Sequence, residues 1–99
     1  MGRLESSIQS DIIKYLGGQG AYVYNAGGSA SSAKGTADLL VCYRGRFLAI
    51  ELKTPDGTWG ETKTQAMRRG HVTKAGGIAV VATSIREVAA LLRSIRKEN

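Results

Sequence analysis

The residues that staple small domains together are nearly absent from this chain. Its 99 residues include one cysteine, Cys42, and one histidine, His71. A single cysteine excludes an intrachain disulfide and suits a reducing compartment. One cysteine with one histidine also falls short of the donors a structural zinc site needs within one chain. Nowhere does an apolar run approach the roughly 20 residues that cross a bilayer, so no membrane span is expected. The opening segment, MGRLESSIQSDIIKYL, mixes charges into its apolar positions and lacks the uninterrupted hydrophobic stretch of a secretion signal. A cytoplasmic protein is the expectation.

What is present is an ordinary globular composition, 42% hydrophobic and 22% charged. The length suits one domain over residues 1–99 with one hydrophobic core, and there is no internal repeat or linker. Lysine and arginine number 14 against 8 acids, a net charge of +6. A basic excess of this size on a small domain favours nucleic acid or an anionic membrane surface. The plain alternative is a basic protein with no specific anionic partner.

Leu4, Ile8, Ile12 and Leu16 recur every four residues, the stripe of an amphipathic helix that Gly17-Gly18 should end. Ala21 to Asn25 is a short β-prone run, followed by the Gly/Ser/Ala stretch AGGSASSAKG, which reads as a loop. Two further strands follow within DLLVCYRGRFLAIELK, and TPDGTWG closes the second. Glu61 to about Ala75 is helix-compatible and stops at Gly76-Gly77. IAVVAT reads as a strand buried on both faces. Ser84-Ile85-Arg86-Glu87 forms a capping box for a last helix that turns Val88, Leu91, Leu92 and Ile95 inward. The order is α-β-β-β-α-β-α, an α/β fold. The third and fourth strands are joined through a crossover helix and therefore parallel. A mixed four-stranded sheet flanked by helices results; whether the first and last helices share a face is left open.

The charges in DLLVCYRGRFLAIELK are unusual for strands. With Arg44-Gly45 as the central turn residues, Tyr43 faces Arg46 and Asp38 falls opposite Glu51. The other face then pairs Ala37 with Leu52, Leu39 with Ile50 and Val41 with Leu48, wholly apolar. A shift by one would move acids into that core; a bulged turn at Gly45 stays open. Lys53, two residues past Glu51, projects to the same side. Like charges set directly opposite are destabilising and need compensation. One reading is a surface salt-bridge cluster of small energetic value. The other is a site for a hard divalent cation such as Mg²⁺, which takes one or two carboxylates, waters and a substrate phosphate. Asp38, Glu51 and the backbone carbonyl of Leu52 would be its ligands. Lys53 would neutralise charge growing on phosphorus.

Gly35-Thr36-Ala37-Asp38 followed by Ile50-Glu51-Leu52-Lys53 resembles the PD-(D/E)xK nuclease superfamily, whose signature is a strand Asp, a variable gap and Glu-x-Lys on the next strand. Ala37 replaces the signature's proline. Glu5 with Gln9, Asn25 with Gly27, Gly35 with Asp38, Glu51-Leu52-Lys53, Gln65, and Gly76 before IAVVAT together resemble the VRR-NUC branch, the virus-type replication-and-repair nucleases, over almost the whole chain. Thr64 stands before Gln65 where serine is more usual. The resemblance implies a restriction-endonuclease-like core and a Mg²⁺- or Mn²⁺-dependent endonuclease, of the kind found as small bacterial and phage-encoded proteins. By the same resemblance, Asp38 and Glu51 are metal ligands and Lys53 positions or activates water. Glu5 is a further acid near the metal, and Gln65 supports Lys53 or the substrate phosphate. A homodimer acting on branched DNA, with a four-way (Holliday) junction as leading substrate, is also implied.

Several of these residues have a second reading. Glu5 also suits a helix N-terminus, and Gln65 also completes a Thr62-Lys63-Thr64-Gln65 capping box. Lys63, Arg68, Arg69 and Lys74 make the second helix basic, either as a solvated face or as phosphate contacts, with Lys34 in the loop before Asp38 added to them. Trp59 can stack on a base, pack at a subunit interface or cap the local core. His71 is assigned to the surface or to helix packing. Against the nuclease stands one alternative of another class, a basic nucleic-acid-binding module that performs no chemistry. A binding module gains nothing from acids that face phosphates.

Overall fold

The structure, a computed structural model, describes residues 5–26, 37–53 and 62–98, without the side chains of Glu5 and Ser6. Lys34 and Trp59 lie outside the described residues. The elements follow in the expected order: α1 (Glu5–Gly18), β1 (Tyr22–Asn25), β2 (Leu39–Tyr43), β3 (Arg46–Leu52), α2 (Lys63–Lys74), β4 (Ile78–Ala82) and α3 (Ile85–Glu98). They build a four-stranded sheet in the order β1-β2-β3-β4. The first two pairings are antiparallel and β3 pairs β4 in parallel. A parallel pair needs a crossover, and α2 supplies it.

The hairpin has the register that the apolar pattern demands, with Leu39 opposite Ile50, Val41 opposite Leu48 and Tyr43 opposite Arg46. Its turn is two residues long and unbulged. Arg44 (φ 50°) and Gly45 (φ 78°) are both left-handed, the geometry whose twist matches that of paired strands. An arginine there is held locally, since its guanidinium lies 5.9 Å from the centre of the Tyr43 ring. Arg96 of α3 donates to the Tyr43 hydroxyl at 3.0 Å, which stabilises the phenolate and lowers the pKa of Tyr43. Arg46 pairs with Glu98 beside it, so the end of α3 is fastened to the hairpin.

Ile8, Ile12 and Leu16 of α1 and Val88, Leu92 and Ile95 of α3 bury together against Leu39, Val41, Leu48, Ile50 and Leu52. The first and last helices therefore cover the same face of the sheet. Each such aliphatic side chain contributes about 1.5–3 kcal/mol over leaving it exposed. Among the described residues the opposite face carries α2 alone, which has no buried residue.

Both α1 and α2 end in one hydrogen-bond pattern. The amides of Gly20 and Ala21 donate back to Gly17 and Leu16, and those of Gly76 and Gly77 to Thr73 and Val72. Gly20 (φ 86°) and Gly76 (φ 98°) hold the left-handed position that this Schellman stop requires. Helix α1 accordingly ends at Gly18, as expected, with the left-handed stop two residues later at Gly20. Three expectations shift. The strand expected to be buried on both faces, β4, is half-buried except at Ala82, because it is an edge strand and α2 covers it thinly. Helix α2 starts one residue past its cap, Thr62, and not at Glu61. At α3, Ser84 Oγ accepts from the Glu87 amide at 3.4 Å, one half of the expected capping box. The Glu87 carboxylate accepts instead from the backbone amide and hydroxyl of Thr83, at 2.6 and 2.5 Å. Those bonds hold the Glu87 carboxyl below the usual glutamate range.

Candidate active site

Alternation along the strands sorts the α2 face of the sheet into rows. Opposed residues share a face, so Tyr22, Cys42 and Phe47 form one row and Tyr24, Leu40, Ala49 and Ala79 the next. A third row runs from the start of β2 through Glu51 to Val81. This last row lies just past the end of the β2–β3 ladder, and the ionisable residues gather there.

Glu51 stands on the α2 face with its side chain 14% exposed. Gln65 Nε2 donates to Glu51 Oε1 at 2.7 Å, and Lys53 Nζ lies 3.7 Å from the same oxygen. Glutamate and lysine two residues apart thus meet on one side of β3, as strand alternation requires. Gln65 also closes the cap of α2: its Oε1 accepts from the Thr62 amide at 2.9 Å and its own amide donates to Thr62 Oγ1 at 3.1 Å. One side chain thus spans both groups, oxygen to the helix cap and nitrogen to Glu51, where Lys53 or a substrate phosphate was the expected partner. The helix start and Glu51 are therefore fixed to each other.

Asp38 precedes β2 by one residue, so the ladder ends at Leu39–Ile50 before it reaches the acids. Its carboxylate turns toward β3, where Oδ2 accepts the backbone amide of Leu52 at 2.8 Å. Asp38 is thereby held next to Glu51 through the neighbouring residue's backbone. The amide and carbonyl of one strand residue point the same way. Lys53 donates toward β4, to Ala82 O at 3.0 Å, so the Leu52 carbonyl faces the β2 side, where Asp38 sits. The Asp38 carbonyl in turn accepts the Ala26 amide at 3.0 Å. Beside it Gln9 Nε2 donates to Asn25 Oδ1 at 2.7 Å, tying α1 to the end of β1. Glu5 lies one helical turn before Gln9 on α1.

A groove runs from this row along the sheet. Ala37, Leu40, Ala49 and Ala79 form its floor, and Gln65, Arg68, Arg69, His71 and Val72 of α2 its wall, with Glu51 at one end. Arg68 and Arg69 thus line the same groove as Glu51. Lys63 and Lys74 are exposed on α2, Lys63 at its first turn and Lys74 near a shallower hollow with Arg69 and Thr73. His71 lines the groove wall, which its sequence neighbours did not reveal. The bond between Gln9 and Asn25 was likewise invisible, because nothing local links a helix to a strand sixteen residues away.

The arrangement suits a hard cation. Among the described residues no cluster holds three or more histidine, cysteine, aspartate or glutamate side chains. Two carboxylates and an outward carbonyl still match what Mg²⁺ takes from a protein when waters and a substrate phosphate complete its shell. The lysine and the two arginines leave anionic substrate as the natural counterpart of the groove.

No protein-family model matches the chain, and no curated protein does so. Solved structures do, among them these two. One, titled "VRR_NUC domain", is 23% identical, with a TM-score of 0.72 over 90% of this chain and 94% of that one. A second, titled "VRR_NUC domain protein", is 24% identical at the same TM-score of 0.72, over 94% of this chain and 88% of that one. At such identities the likeness is one of architecture, and it extends over nearly all of both molecules. The chain therefore has a VRR-NUC-like fold, the one that its Asp38, Glu51-Leu52-Lys53 and Gln65 pattern resembles.

Proposed function

We propose that this chain is a metal-dependent endonuclease that hydrolyses phosphodiester bonds in DNA. One observation carries the reading. Glu51 is held by Gln65 and Lys53 at the end of a groove walled by Arg68 and Arg69, while Asp38 is fixed beside it through Leu52. A salt-bridge cluster with no chemistry has no use for an open cationic groove leading to it. The VRR-NUC-like fold supports the same conclusion.

In this reading Asp38, Glu51 and the Leu52 carbonyl hold Mg²⁺ or Mn²⁺, with Glu5 a further acid on the α1 side. Such an ion, when bound, supplies Lewis-acid activation of water and phosphate. Lys53 places a positive charge next to Glu51, where it opposes the negative charge that grows on phosphorus as water adds and the leaving oxygen departs. Gln65 keeps the Glu51 carboxylate in one orientation. Arg68, Arg69, Lys63 and Lys74 take flanking phosphates, and Lys34 is proposed to do the same.

Branched DNA is the proposed substrate, a four-way junction first. A two-fold homodimer would set two such sites against opposed strands. The test is incubation of end-labelled junction, flap, duplex and single-stranded DNA with Mg²⁺ or Mn²⁺, in parallel with EDTA, while light scattering reads the mass in solution. Cleavage should require the metal and favour the junction, and the protein should be dimeric. Metal-independent binding with no cleavage would instead establish a nucleic-acid-binding module.

A further inference from the structure

We propose that Tyr22 and Tyr24 of β1 form a stacking platform for unpaired bases of a DNA strand that leads into the groove. The proposal rests on the nuclease reading and adds to it the form of the substrate strand. Tyr22 is 71% exposed and Tyr24 50% exposed, unusual for two aromatic rings in a chain with six aromatics in 99 residues. Between them Val23 packs toward the α1 side, so both rings stand on the α2 face. Tyr24 lies opposite Leu40, which floors the groove, and Tyr22 opposite Cys42. Phe47, 44% exposed, continues the Tyr22 row across β3.

Spacing connects the platform to the acids. Residues two apart on a strand lie about 6.7 Å from each other along it. The Tyr24 row is therefore one such step from the Glu51 row, and the Tyr22 row two. Strands about 4.8 Å apart place β1 roughly 10 Å across the sheet from β3 and roughly 14 Å from β4. One polynucleotide strand fits that width, with bases against β1 and phosphates against Arg68 and Arg69 on the opposite wall. Aromatic rings on one side and guanidinium groups on the other are the two contacts that single-stranded nucleic acid uses without reading its sequence. A duplex keeps its base faces stacked on each other and offers none to the tyrosines. The strand ends or arms of branched DNA do offer them.

The test measures binding of 5′-fluorescein oligo-dT by anisotropy, with EDTA present so that nothing is cut. Changing Tyr22 and Tyr24 to alanine should weaken binding by roughly tenfold per ring. Changing both to phenylalanine should leave affinity at the wild-type value, since stacking survives the loss of the hydroxyl. A second readout needs no variant. Cys42 is exposed on the same face, and its alkylation by iodoacetamide in the wild-type chain should slow when oligo-dT saturates the protein. Wild-type affinity in the alanine pair, or unchanged Cys42 reactivity, overturns the proposal. So does Cys42 protection that rises with protein concentration alone and vanishes in the alanine pair, because the face would then belong to a second copy of the chain. Absence of cleavage with tyrosine-dependent binding intact would instead count against the nuclease reading only.

Discussion

Asp38 combines two duties that substitution can pull apart. Its Oδ2 accepts the Leu52 amide at 2.8 Å in a half-buried position, and its negative charge is proposed to hold a cation. Asparagine keeps an acceptor oxygen at the same reach and removes the charge, whereas alanine removes both. In EDTA, Asp38→Asn should therefore melt with the wild type, and it also relieves repulsion toward Glu51. Asp38→Ala leaves a partly buried amide unpaired, which costs about 1–3 kcal/mol. For a domain of this size each kcal/mol lowers Tm by about 4–8 °C, so the alanine variant should melt some 4 °C or more below the asparagine one. Cleavage behaves differently, because both variants lose the charge. A bound metal contributes several kcal/mol to the transition state, and about 1.4 kcal/mol is a factor of ten. Single-turnover cleavage should fall at least about 100-fold in both. Mn²⁺ should raise the Tm of the wild type, by an amount set by its concentration over Kd, and should leave both variants where they were. Wild-type cleavage by Asp38→Asn would refute the metal assignment. Equal melting of the two variants would refute the structural duty.

Gln65→Ala removes the bond to Glu51 and the cap together, and should lower kcat by about 10–100-fold as loss of a ligand-orienting residue does. Thr62→Ala removes only the cap, costs about 1 kcal/mol, and should keep kcat; equal kcat losses in the two would refute the role given to Gln65. Glu87 ionises more readily in the folded chain than unfolded, so its contribution is present above the ordinary glutamate pKa and lost as pH falls through its lower folded value. Acid titration of stability below about pH 4.3 should accordingly be shallower in Glu87→Gln than in the wild type, read from urea midpoints. Leu92→Ala opens the core between α1 and α3 where Leu92 is fully buried. It should cost about 2–5 kcal/mol in chemical denaturation, and a smaller loss would place the core elsewhere.

Much of this molecule could be read in the sequence where the physics was local. The apolar spacing of Ile8, Ile12 and Leu16 determined the buried side of α1, and two-residue alternation determined the register of the hairpin and the meeting of Glu51 with Lys53. What escaped was set by neighbours distant in the chain. The apolar run of β4 looked like a central strand, and only the strand order makes it an edge. The bond that the Asp38 carboxylate accepts from the Leu52 amide was also hidden, because side-chain alternation says nothing of backbone donors. Nor could helix capping alone reveal that the nitrogen of Gln65 reaches Glu51, since the two lie on different elements.

The helix that walls the groove buries none of its own residues. Substitution of its groove-facing residues should thus seldom coincide with loss of folding, for the buried aliphatic cluster lies against the other side of the sheet. On the proposed function, a lineage could exchange the cations of this groove many times, retuning which substrates it grips, while the framework that carries the two acids went on folding unaltered.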